Sequence, residues 1–401
     1  MYLVDNQKVA EAIGADSRTF RALLEFENFS ISGADVGRTT IEHTMSDDET
    51  LSIGNVIAKR VEIKLYGNRA VHKGDSFKLS LYLLDFDGER TVRATHKDLS
   101  QWTHRELSMF THEEIAFLGK TKDPDGVPLE NVFIPMGEFV ITKVTMQGVE
   151  TTIVAYDRLA FSDKTYNPSI EFPADSADVT DDVLQQLGIE DREVVADGNL
   201  LTDIGLKVMT ADEGELLCSA EYTFTISEMP QGKSCRQMLS GLAAMYGGNA
   251  ILNRNGEYTT AFISNAGAFF EQDRIDEPET AAEDISVSGI RCIIDEETEL
   301  TIGNPDGAYA VEFECPYMTQ ERLKEIWRSI SYFRWRPAQV HERLADPRRD
   351  IGDLRFYRQN GKKMNIPIMA LVYHFDGGLS ADITACGNID EPDLQLEVEE
   401  F

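Results

Sequence analysis

Basic charge, cysteine pairs and long apolar runs are all scarce in this sequence, and each scarcity excludes a class of protein. Lysine and arginine number 38 against 70 aspartates and glutamates, a formal charge of −32. A surface of that sign repels phosphate, which argues against a chain whose main task is gripping nucleic acid or an anionic membrane. The five cysteines, Cys218, Cys235, Cys292, Cys315 and Cys386, are widely spaced and never form a C-x-x-C pair. That leaves neither a disulfide framework nor a thiolate zinc site. No apolar run approaches the ~20 residues that cross a bilayer, and the N-terminal stretch MYLVDNQKVAEAIGADSR lacks a basic flank followed by an apolar core. The expectation is a protein made in the cytoplasm without a signal peptide and without a membrane segment. No G-x-S-x-G elbow, H-E-x-x-H pair or P-loop occurs, so no catalytic residue and no cofactor is assigned and a non-enzyme is expected.

What the sequence does have is β pattern. At 401 residues the chain exceeds one typical domain. From Thr19 to Asp157, segments such as FRALLEFENFSIS, SFKLSLYLLDF and EFVITKV alternate apolar and polar residues, and Gly74-Asp75, Asp87-Gly88 and Gln147-Gly148 supply turns between them. Short strands of this kind suggest a barrel or a sandwich, in a first domain over residues 1–170. From Glu171 to Glu221 acids dominate and only Arg192 and Lys207 are basic. Within 171–280 the pattern predicts a short helix from Thr180 to Leu187 closed by Gly188. A second helix opens on the capping box Ser234-x-x-Gln237 and stops at Gly247-Gly248, and a hairpin turns at Asn255-Gly256. This is an acidic α+β middle domain. Strand pattern returns over 281–390, interrupted by an amphipathic helix over 319–331 with Leu323, Ile326, Trp327 and Ile330 on one face, and 391–401 form an acidic tail. The expected fold class is mainly β with α+β elements: two β-rich domains and a helix-and-sheet middle domain.

The two β-rich regions repeat one order of signals. The first runs Gly74-Asp75, strand, Asp87-Gly88, Ile134-Pro135, strand, Gln147-Gly148, strand ending Val154-Ala155. The second runs Gly352-Asp353, strand, Asn360-Gly361, Ile366-Pro367, strand, Gly377-Gly378, strand ending Thr384-Ala385. The shared order points to an internal duplication, residues 19–160 repeated from about 285 to 388. The long stretch between Gly88 and Ile134 then reads as an insertion over 89–130.

That insertion holds three octads, THKDLSQWTHRELSMFTHEEIAFL, each beginning Thr-His. On a helix, octad spacing turns each histidine by about 80° from the last. In a strand it separates neighbours by about 26 Å. Neither brings His96, His104 and His112 to one ion, so the octads are expected to be scaffold rather than a metal site. A different candidate site lies in WRSISYFRWRP. There Trp327, Arg328, Arg334, Trp335 and Arg336 interleave bases with aromatics, and the composition fits a subunit interface better than a nucleic-acid stacking patch.

At residues 134–159, IPMGEFVITKVTMQGVETTIVAYDRL, the sequence resembles the hub proteins of phage tails and related contractile injection systems. In that family a strand opened by Ile-Pro-x-Gly leads to a hairpin ending Ala-x-Asp-[Lys/Arg]-Leu/Met, and here that run is Ala155 to Leu159. SIGNVIAKRVEIKL at 52–65, SCRQMLSGLAAMYGGNAILNRNGEYTTAF at 234–262 and FDGGLSADITACG at 375–387 follow in matching order. The resemblance implies a structural baseplate hub assembled into a virion tail or tail-like particle. Such a hub is a homotrimer whose two tube-like β-barrel domains per chain, here residues 1–170 and 281–390, give a six-barrel ring, adapting the hexameric tail tube to a distal spike or fibre. Its implied partners are the tail tube or distal tail protein ring, the tape measure protein, and the central spike or tail fibre. DNA would pass through without specific binding, and the charge of the chain leads to the expectation of an acidic inner wall. The alternatives are a tail-associated cell-wall hydrolase and a glycan-binding receptor-recognition module.

Overall fold

The computed structural model describes residues 13, 19–45, 51–67, 70–84, 133–192, 223–261, 263–359 and 361–389. The octads, with His96, His104 and His112, lie outside the described residues, as do Cys218 and the segment 391–401.

The first region contributes β1 (Thr19–Phe26), β2 (Ser30–Ser32), β3 (Val36–Thr44), β4 (Arg60–Tyr66), β5 (Ser76–Leu84), β6 (Phe133–Gln147) and β7 (Glu150–Tyr156). The middle holds β8 (Ala174–Asp175), α1 (Ser176–Leu187), β9 (Thr225–Ile226), α2 (Cys235–Tyr246), β10 (Asn249–Leu252) and β11 (Tyr258–Ala261). There follow β12 (Ser264–Phe269), β13 (Glu279–Thr280), β14 (Gly289–Ile293), β15 (Glu299–Gly303), β16 (Val311–Glu314) and α3 (Gln320–Ile330). The chain continues through β17 (Ala338–Glu342), β18 (Asp353–Gln359), β19 (Lys362–Pro367), β20 (Ala370–Phe375) and β21 (Leu379–Ala385). The fold is mainly β.

The local signals act where the sequence placed them. Ser234 and Gln237 exchange both capping-box hydrogen bonds at the start of α2, which ends on Gly247 at φ 78°. Helix α1 begins four residues before the expected Thr180, because the Asp175 side chain accepts from the Ala177 N–H and caps it there. Its Val179, Val183 and Leu187 pack with Met238, Leu239 and Leu242 of α2 in one buried cluster.

The expected barrels are not seen as closed barrels. Instead, one sheet of eleven strands runs β13-β17-β21-β20-β3-β4-β7-β6-β5-β1-β2 and is open at both ends among the described residues. Two regions of the chain share it because β3 of the first pairs antiparallel with β20 of the second, from Thr44 opposite Ala370 to Thr39 opposite Phe375. The hydrogen-bond energy of a sheet is indifferent to how far apart its strands lie in sequence, so alternation alone could not say where one sheet ends.

Pairing nevertheless repeats. The contacts β3·β4, β4·β7, β7·β6 and β6·β5 recur as β13·β17, β17·β21, β21·β20 and β19·β18, all antiparallel. Gly74 donates to the Ile141 carbonyl and Ile141 to that of Asp75; Gly352 donates to Ile368 and Ile368 to Asp353 in the same way. These bonds match Ile141 with Ile368 and correct the expected match of Ile134-Pro135 with Ile366-Pro367. Pro367 closes β19, where the long strand β6 of the first repeat is broken in the second into β19 and β20. The second repeat also starts earlier than residue 285, since β13 and the Ile275 bridge to Glu342 belong to it. Departures from the repeat are local: β1 meets β5 antiparallel whereas β12 meets β18 parallel, and β14 to α3 stand between the counterparts of β3 and β4.

Candidate functional site

One face of the shared sheet is apolar and fully covered. Ile41, Val61, Ile63, Leu65, Ile153 and Ala155 from the first repeat, with Val340, Leu371, Tyr373 and Ile383 from the second, are buried in a single core. The strand period of two puts the alternate residues on the opposite, polar face. There Arg38, Arg60, Lys64 and Lys143 stand among Glu42, Glu62, Glu150, Glu279 and Asp382. Arg60 bridges Glu42 at 2.5 Å and Glu62 at 2.7 Å, and Lys64 meets Glu150 at 2.7 Å. Asp382 accepts from His341 Nδ1 at 2.6 Å and from His374 Nε2 at 2.8 Å. This face therefore carries charges of both signs, several of them paired.

Behind the β3·β20 seam sits a buried ionic cluster drawn from three parts of the chain. Arg254, at the tip of the β10–β11 hairpin, donates through Nε to Asp350 Oδ2 at 2.9 Å and through Nη1 to the Pro347 carbonyl at 2.6 Å and the Pro135 carbonyl at 3.2 Å. It also donates to the Arg349 carbonyl. His43 lies 3.4 Å from the other Asp350 oxygen. Burial, reinforced by Lys59, pushes the His43 imidazole down to about 4. Burial by itself raises the Asp350 carboxyl, but Arg254 first, then Lys59 and His43, hold it well below the usual carboxylate range. Next to them the Asp157 carboxyl accepts from the backbone N–H of Lys59 at 2.7 Å and of Leu159 at 3.0 Å, yet burial still pushes it up to about 7. The Lys59 ammonium is lowered, again by burial. Sequence reading missed Arg254 and Asp350, because nothing local marks an arginine in a hairpin turn as the partner of a distant aspartate.

The expected interface residues separate. Trp335 is fully buried, stacks on Phe333 at 5.5 Å and donates its indole N–H to the Cys386 carbonyl at 2.8 Å. It is a core residue of the chain, and its main chain bridges to Ile285. Arg336 is held within the chain, by Asp284 at 2.7 Å and the carbonyls of Ala281 and Ala282. Trp327 is half-buried over Gly303. Arg328 and Arg334 are exposed, and so is Tyr332 between them, at 79%.

A cleft of about 1100 Å³ lies beside α1, lined by acids that include Glu171, Asp175, Asp178 and Asp181. Arg192 bridges Asp181 there at 2.5 Å, and the segment after it is outside the described residues. No group of histidine, cysteine and carboxylate side chains suited to a metal ion occurs among the described residues, and no helix there is long and apolar enough to cross a membrane.

No protein-family model and no curated protein matches the sequence. Solved structures do. The 43 kDa tail protein of prophage MuSo2 from Shewanella oneidensis is similar at 12% identity and TM-score 0.45, over 91% of this chain and 97% of that one. A tail protein from Neisseria meningitidis MC58 is similar at 9% identity and TM-score 0.48, over 92% and 96%. The prophage tail protein gp18 from Listeria monocytogenes EGD-e is similar at 11% identity and TM-score 0.45, over 94% and 96%. Each of these three is a tail protein, and two are of prophage origin.

Proposed function

We propose that this chain is a structural hub of a phage tail or tail-like particle, closing as a homotrimer into a ring that adapts a tail tube to a distal spike or fibre. The observation that carries the reading is the open, internally repeated sheet. Two copies of one strand pattern join within the chain through β3·β20, and the copies leave further edges without a strand partner among the described residues, at β13 and along the far half of β6. An unpaired edge is a template for another strand, and head-to-tail contacts of this kind close into rings. Six repeats around an axis, two from each of three chains, would carry the polar face of the sheet on one wall. Its paired, mixed charges fit the passage of DNA without adhesion, since no run of unpaired lysine or arginine is offered to phosphate. The exposed Arg328, Tyr332 and Arg334 are the part of the basic segment open to a neighbouring ring. Light scattering on the purified chain tests the reading: a mass of three chains is expected, and a monomer at micromolar concentration would overturn it.

A further inference from the structure

We infer that neighbouring chains are joined by antiparallel pairing of the β6 edge, residues 143–147, with the β13 edge, residues 279–283, of the next chain, in the register of the seam inside the chain. The inference rests on the ring reading above. It begins from one match between the repeats. Hydrogen bonding equates Ile141 with Ile368. The same offset equates Val144 with Leu371, and pairing carries the match across the sheet, since Val144 lies opposite Ile153 and Leu371 opposite Ile383, two residues that in turn face Ile63 and Val340.

Extended along the strand, this makes Met146 the counterpart of Tyr373 and Gln147 that of His374. On the other side of the seam, Thr40 faces Glu62 as Glu279 faces Gln339, so Glu279 and Thr280 are the counterparts of Thr40 and Ile41. Inside the chain Tyr373 lies opposite Ile41 and His374 opposite Thr40. Transferred to the free edges, the same register sets Met146 opposite Thr280 of the next chain and Gln147 opposite its Glu279. Continued to Glu283, it sets Lys143 against that acid, as Ala370 is set against Thr44.

Three features of the edges agree. Beyond Val140, where pairing with β5 stops, β6 is bonded on that side, among the described residues, only through Ile141 to the Gly74-Asp75 turn, and β13 ends the sheet there. Met146 is 58% exposed although its counterpart Tyr373, covered by β3, is 3% exposed. The segment around β13 is acidic, with exposed Asp276, Glu277, Glu279 and Glu283, whereas Lys143 is the exposed charge on the β6 edge.

The test uses the full-length chain carrying Met146→Cys and Thr280→Cys, with a short bifunctional thiol-alkylating reagent matched to the ~5 Å between Cβ atoms of directly opposite residues. Ladders of covalent dimer and trimer are expected, and neither the unsubstituted chain nor the offset pair Val144→Cys and Thr280→Cys should give them. A chain that is trimeric by light scattering yet cross-links no better in register than out of register overturns the seam and leaves the ring standing. A chain that is monomeric overturns both. A charge swap covers the case in which the cysteine pair disturbs folding: Lys143→Glu should raise the concentration of half-dissociation by roughly three- to tenfold, and adding Glu283→Lys should restore it. Independent effects of the two charges would also sink the register.

Discussion

Arg254 and Asp350, 96 residues apart in the chain, form a buried ion pair at 2.9 Å that ties the middle hairpin to the second repeat behind the shared sheet. Arg254 is 7% exposed, and its guanidinium also donates to main-chain carbonyls of both repeats. Removing it strands the Asp350 carboxylate and unpairs those carbonyls. Arg254→Ala should therefore cost about 3–5 kcal/mol in urea denaturation. Arg254→Met with Asp350→Asn should cost less than the single change, because the Asp350 charge is removed together with that of Arg254. Equal losses would mean that Arg254 acts through packing alone.

His43 makes stability depend on acid. Its folded value of about 4 lies below the ordinary 6.5, so between these the unfolded chain binds the extra proton. Stability from this group is present above pH 6.5 and lost as pH falls towards 4, on the order of 3 kcal/mol. Asp157, raised from 3.8 to about 7, works in the opposite sense, losing stability as pH rises through that window. Subtracting the curve of His43→Gln from that of the natural chain cancels Asp157 and isolates the histidine. A difference that stays flat from pH 7 to 4 would contradict a buried neutral imidazole.

Trp335 and Arg334 are adjacent and should behave as opposites. Trp335→Ala empties a fully buried site against Phe333 and leaves the Cys386 carbonyl without its donor, for a loss of about 3–5 kcal/mol. Arg328→Ala and Arg334→Ala should change chain stability by less than about 0.5 kcal/mol. Thermal unfolding of the three variants, compared with their assembly onto a partner ring, separates the core residue from the surface ones.

The histidine octads should bind no stoichiometric metal. Elemental analysis of the purified chain is expected to find none. One zinc or iron per chain, lost when His96, His104 and His112 are changed to Ala, would show that their loop gathers what a helix or strand cannot.

Much of the local structure was decided by the sequence alone. Ser234 and Gln237 cap a helix wherever it is placed, Asn255-Gly256 turns a hairpin, and the alternation along Arg60 to Tyr66 separates a core face from a polar one, since each of these depends on neighbours within a few residues. The repeat was legible through Gly74-Asp75 and Gly352-Asp353, because turns that need a positive φ restrict their residues. Its Ile-Pro marker misled, as Pro135 lies within one long strand whereas Pro367 ends a shorter one. Only the tertiary structure decided that β3 joins β20, that Arg254 finds Asp350, that Trp335 is buried and that bases and acids meet on the polar face of the sheet. Those outcomes are set by which distant surfaces can be buried together with every polar group partnered, a condition on the whole molecule that no window of sequence contains.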